Sequence, residues 1–281
     1  MIFNFVKLKT IALENLNRTG RIFYGVAIAA TGIQQFFFPD FFQILFPPLP
    51  FAKNFLFYFS QIVGAFLFVA GTAIALNIRI RQFAYSLVYL FLFFFIFCYI
   101  PYELFISPYS PIHLGLWMNP LKELAYAGGA LIAAGQYPVR AAGSGQIPKW
   151  TRVAGRFTPY GRIFFSITMI SFGISHFYYA ETVAGLVPDW MPGHIFWTYF
   201  AGVALFGSGI AIMLKYHVYK IGNLLALMIF LWFILLHIPR ALANPAGDNG
   251  NEITSAFSAL AFSGIALMIA NGGKVKKEGD H

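Results

Sequence analysis

The sequence predicts an all-α, polytopic membrane protein of eight transmembrane helices, arranged as two tandem four-helix bundles in parallel orientation. Three observations carry this reading. Hydrophobic residues make up 59% of the chain and charged residues 10%, at a mean hydropathy of +0.69, too little polar surface for a water-soluble domain. The apolar residues gather into eight separated runs of membrane-crossing length. The basic residues alternate from loop to loop.

The runs cover residues 22–38, 55–76, 82–102, 121–135, 163–179, 195–214, 219–238 and 254–270; a helix needs roughly 17 to 25 residues to cross hydrocarbon. The fourth is shortened by Lys122 and Glu123. The first twenty residues hold Lys7, Lys9, Glu14 and Arg18 and lack the apolar core and small-residue cleavage site of a signal peptide. The first run is therefore expected to insert as a signal anchor.

Every second loop is basic. Of the 19 basic residues, 16 fall on one side of this scheme, and only Lys53, Lys122 and Arg240 on the other. Acids lean the opposite way: Asp40, Glu103, Glu123, Glu181, Asp189, Asp248 and Glu252 face outward. The positive-inside rule then places both termini in the cytoplasm, in what reads as a bacterial cytoplasmic membrane. The net charge of +9 is a topology signal directed at the lipid bilayer, and no nucleic-acid partner is expected, because no soluble basic domain is present.

The chain repeats itself. Gly20-Arg21-Ile22-Phe23 recurs as Gly161-Arg162-Ile163-Phe164, Gly32 recurs as Gly173 and Pro47 as Pro188. After a three-residue shift Gly64, Gly71 and Pro101 match Gly202, Gly209 and Pro239, and Gly129 is matched with Gly264. The expected organisation is an N-terminal segment 1–20, a diverged first repeat 21–135, a basic cytoplasmic linker 136–160, a second repeat 161–271 and a tail 272–281. Four spans per repeat is an even number, so both halves enter the membrane in the same direction, unlike inverted-repeat transporters. The glycines spaced by seven, Gly64 with Gly71 and Gly202 with Gly209, share a helix face and read as close-approach positions.

Gly173-Ile174-Ser175-His176-Phe177, then Val187-Pro188-Asp189-Trp190-Met191-Pro192, then His237-Ile238-Pro239-Arg240 closing a later span, resemble the DoxX-like family of four-helix membrane proteins. The second half carries the pattern over most of its length. The first half holds Gln35 where the second has His176, and Tyr99 where it has His237. The resemblance implies a loose association with respiratory quinol oxidation; a single cysteine, Cys98, provides no dithiol for redox work.

His176 and His237 lie near the outer ends of the fifth and seventh spans, at matched depth, and ionisable groups at that position are the first candidates for a site. They are expected to hold the polar end of a small hydrophobic ligand, a quinone or haem, or to ligate a metal with Glu181, Asp189 or Glu252. The apolar, proline-rich loops around Pro47 and Pro188 read as interfacial anchors or lids. Arg240, Glu181, Asp189 and Trp190 complete the candidate ligand-binding set, with Arg240 either orienting the ligand or pairing with a nearby acid. The leading function is an accessory or ligand-binding membrane subunit, working with a membrane complex partner or as a homo-oligomer, and not an enzyme by itself. A transporter, with Gln34, Gln35, Gln61, Ser166, Thr168 and Ser171 lining a path, and a purely structural subunit are the alternatives.

Overall fold

The computed structural model describes residues 2–38, 45–47, 53–109, 112–136 and 148–278. Asp40 and the Pro48 to Pro50 part of the first loop, residues 137–147 of the linker and the end of the tail, all read from sequence above, lie outside the described residues. What is described is all-helical, and eight long helices account for most of it: α1 (Ile2–Phe37), α2 (Lys53–Ala75), α3 (Ile80–Phe105), α4 (Met118–Gly135), α5 (Gly161–Tyr178), α6 (His194–Met213), α7 (Val218–Ala243) and α8 (Asn251–Glu278).

Five of these, α2, α3, α6, α7 and α8, contain stretches long and apolar enough to cross a membrane. Their outer faces carry Tyr58, Ile62, Phe97, Val203, Leu224 and Leu227, all exposed. Such surface is stable only against hydrocarbon, where it needs no polar partner. The chain is thus an integral membrane protein. Among the five, α8 has 78% of its span buried and α7 only 22%, which makes α8 a central rod and α7 a lipid-facing one.

Each helix packs on the next in the chain, and α8 returns to pack on α1, so the eight form a closed circuit. Contact across the circuit runs between α4 and α8, with Tyr126 Oη donating to Ser258 Oγ at 2.8 Å and Phe165 and Phe172 of α5 meeting Phe262 of α8 edge-on. The halves are therefore joined along two seams, α1 with α8 and α4 with α5. Glycines set both. A methyl on Gly264 would stand 2.5 Å from the Gly20 carbonyl oxygen, and one on Gly161 2.7 Å from that of Gly128. The residue that meets Gly161 as Gly264 meets Gly20 is Gly128, so the sequence match of Gly129 with Gly264 is displaced by one position.

Within each half the first two helices cross at glycines as well. A Cβ on Gly71 would lie 2.4 Å from Ala29 N, and one on Gly173 2.6 Å from Phe206 N. No side chain fits, and where lipid provides no hydrophobic drive this backbone contact supplies the dispersion energy that holds the pair.

Local devices recur between the halves. Arg21 donates to the carbonyls of Ile74 and Ala75 at the end of α2, and Arg162 to those of Ile212 and Met213 at the end of α6, at 3.2 and 3.0 Å. Each guanidinium satisfies carbonyls that a helix C-terminus leaves without partners and offsets its partial negative charge. The following turns hold Asn77 and Arg79, then Lys215 and His217, in the left-handed region, with φ of 66°, 42°, 61° and 41°. Replacing Arg162 by Met is expected to lower stability by about 2 kcal/mol, since charge-assisted bonds contribute roughly 1.5–3 kcal/mol. The apparent thermal midpoint in detergent reads this, against exposed Arg156→Met as control; equal midpoints would remove the capping role.

Both α3 and α7 widen into π-helical turns, Phe94–Tyr99 and Phe233–His237, just before Pro101 and Pro239. Proline has no N–H for the carbonyl four residues back and its ring collides with it. The chain responds by shifting to five-residue bonds, Ile100 N–H to Phe95 O and Ile238 N–H to Phe233 O. Such bulges concentrate at functional sites, and Tyr99 and His237 sit at their ends.

Candidate ligand cavity

Helices α4 to α8, with Val183, Leu186 and Val187 of the segment between α5 and α6, line a partly open cavity of about 340 Å³. Its walls are apolar: Phe172, Leu205, Ile229, Phe262 and the indoles of Trp197 and Trp232 are among them. Its polar groups are His176, His237, Lys122, Thr198, Ser255 and Ser258. An apolar pocket with a few convergent polar groups is the ordinary form of a small-molecule site, and this volume lies at the small end of the range.

The two histidines read from sequence thus line one cavity. His176 Nδ1 is 2.7 Å from the Phe172 carbonyl oxygen. A carbonyl only accepts, so Nδ1 carries the proton and Nε2 is left with its lone pair for the cavity. His237 Nδ1 is buried with no hydrogen-bond partner. The charges of Glu252, Lys122 and Arg240 all act on His237.

Lys122 is the residue sequence reading missed. Assigned there to the outer flank, it belongs to α4, which begins at Met118, and lines the cavity. Its Nζ donates to Asn119 Oδ1 at 3.2 Å, leaving ammonium protons for a guest. Its neighbour Glu123, also expected outside, is wholly buried.

Four candidates lie elsewhere. Arg240 is held by Glu252, its Nε 3.0 Å from Oε2 and its second fork nitrogen on Oε1, so of the two roles considered for it the acid pairing is the one observed. Glu181 and Asp189 are exposed, and Trp190 is 65% exposed; none lines the cavity. Among the described residues no three His, Cys, Asp or Glu side chains come together to hold a metal ion. The third ligand sought for a zinc site is therefore missing: Glu252 is engaged by Arg240, and the other two acids face away. A larger groove of about 600 Å³ between α1, α7 and α8, lined by Phe23, Lys220, Asn223 and Leu227 among others, is wide open and mostly apolar, as a lipid-facing surface is.

The described residues define an all-helical integral membrane protein with a mostly apolar cavity among α4 to α8. No protein-family model matches the chain, and neither a characterised protein nor a solved structure does.

Proposed function

We propose that the chain is a tandem DoxX-like membrane protein whose second half binds a small hydrophobic molecule with acceptor oxygens, a quinone in the first instance, at the outer end of the bundle. The observation that carries this is the convergence of His176, His237 and Lys122 on one apolar cavity flanked by two indoles. Lys122 supplies only donors and the imidazoles supply a donor or an acceptor each. A quinone's carbonyl oxygens match the donors of Lys122 and His237, the hydroxyl of its quinol form donates to His176 Nε2, and the aromatic walls match a flat ring. The volume suits one substituted ring better than a tetrapyrrole, which makes haem the lesser choice.

The tandem reading is supported by the recurring arginine caps, left-handed turns, glycine crossings and proline-linked π turns. Eight spans in parallel repeats, with both termini in the cytoplasm, are supported by the alternating basic loops together with these devices; α1, α4 and α5 then cross as well, α4 the most buried of the three. An accessory subunit presenting the ligand to a membrane complex fits a pocket that is mostly apolar with a few polar groups.

The test is extraction in mild detergent, followed by solvent extraction of the purified protein and absorbance of the extract. The expected result is a copurifying quinone that is depleted in His176→Ala. An empty, colourless preparation that also fails to take up added quinone would overturn the reading, and a haem spectrum would replace it.

A further inference from the structure

The first half has a polar interior of its own. Glu123 is 0% exposed and neither carboxylate oxygen has a hydrogen-bond partner. Tyr99, at the end of the first π turn, is 2% exposed with its hydroxyl unpartnered, and Gln35 is 0% exposed with Oε1 unpartnered. Tyr99 and Gln35 occupy the positions that His237 and His176 hold in the second half. The π turn that ends at Tyr99 packs on α4, the helix that carries Glu123.

Consecutive residues of α4 thus serve different halves. Lys122 faces the ligand cavity and Glu123 the interior of the first bundle, as the roughly 100° turn per residue requires. Among the described residues Glu123 has no ion pair. Of the helices packed against α4, α3 brings Cys98, Tyr99 and Glu103, none of them a cation, and among the described residues no ionised group of α5 or α8 acts on Glu123. An isolated carboxylate in such surroundings costs several kcal/mol, and the group escapes that cost by holding a proton.

We propose that Glu123, with Tyr99 beside it, is a proton-binding site in the interior of the first half, an un-ionised carboxyl poised to exchange its proton with a hydrogen-bonding neighbour or guest. A protonated carboxyl and a phenol each donate and accept, so a neighbour or guest that takes the carboxyl proton while returning one of its own to the other oxygen leaves no bare charge in hydrocarbon. The site is separate from the ligand cavity, and its test does not depend on that cavity being occupied.

Infrared difference spectra of the full chain in lipid, wild type against Glu123→Gln, read the protonation state directly. At about pH 8, where carboxyls with the ordinary value near 4 are ionised, the expected difference is the loss of one protonated-carboxyl C=O band that moves down in heavy water and shifts in Tyr99→Phe. Ionised-carboxylate bands in its place, or bands that change between sodium and choline buffers, would overturn the proposal in favour of a bare or cation-bound group. If Glu123→Gln does not fold, the wild type decides with a lipid-soluble carbodiimide. The carboxyl O–H adds across a C=N bond, its proton going to nitrogen and its oxygen to carbon, and the acyl group then migrates to nitrogen with nothing lost. A stable adduct on the Glu123 peptide supports the site; an unmodified peptide overturns it.

Discussion

Replacing His237 by Ala is expected to reduce quinone retention by roughly tenfold or more, the equivalent of 1.4 kcal/mol per tenfold, because a buried partner left without its hydrogen bond costs about 1–3 kcal/mol. The effect should exceed that of His176→Ala. His176 spends one ring nitrogen on the Phe172 carbonyl, whereas His237 also lines the cavity and spends neither the buried, unpartnered Nδ1 nor its other ring nitrogen on a described protein group. Lys122→Met keeps the side-chain length and removes the ammonium, and its loss should be comparable. Exposed Trp190→Phe and Asp189→Asn, once candidates for the same site, should leave retention unchanged. Ligand per protein after solvent extraction is the readout; equal retention in His237→Ala and wild type would separate the histidine from the ligand.

The second large effect is on assembly. Gly264→Ala places a methyl 2.5 Å from Gly20 O and 2.8 Å from Tyr24 N, both backbone atoms that no side-chain rotation can move away. Forcing volume into such a seam costs about 1–3 kcal/mol, and the two helices must separate along their contact. The helix itself would favour Ala over Gly by about 1 kcal/mol, so any net loss measures the seam. Gly207→Ala is the matched control, since a methyl there meets nothing within 4 Å and should raise the thermal midpoint slightly. If Gly264→Ala and Gly207→Ala move the midpoint in the same direction, α1 and α8 are not packed as described.

The long helices were legible because hydropathy reports on burial in lipid, but not all of their ends were: α1 begins at Ile2, well before the apolar run at 22–38, and α8 continues to Glu278, beyond the run at 254–270. His176 and His237 were legible as a pair because each stands near the same end of its apolar run, and both line the cavity. Lys122 and Glu123 were not. Charge at the end of an apolar run reads as a boundary, and only the position of α4 between the two halves turns one residue into the cavity and its neighbour into the opposite interior. Glu181, Asp189 and Trp190 share the loop chemistry of a binding site but face outward, which no local pattern reveals. The closed circuit of helices was also hidden, since sequence repeats define equivalent elements without fixing which of them meet.

The account rests on a pocket walled by Trp197 and Trp232, two of the five tryptophans in the chain. The most direct measurement is tryptophan fluorescence of the protein in lipid nanodiscs during titration with a short-chain quinone, which quenches an indole on contact. Saturable quenching that disappears when Trp197 and Trp232 are both replaced by Phe is the expected result; quenching that never saturates, or that survives the double replacement, would contradict a quinone between His176 and His237.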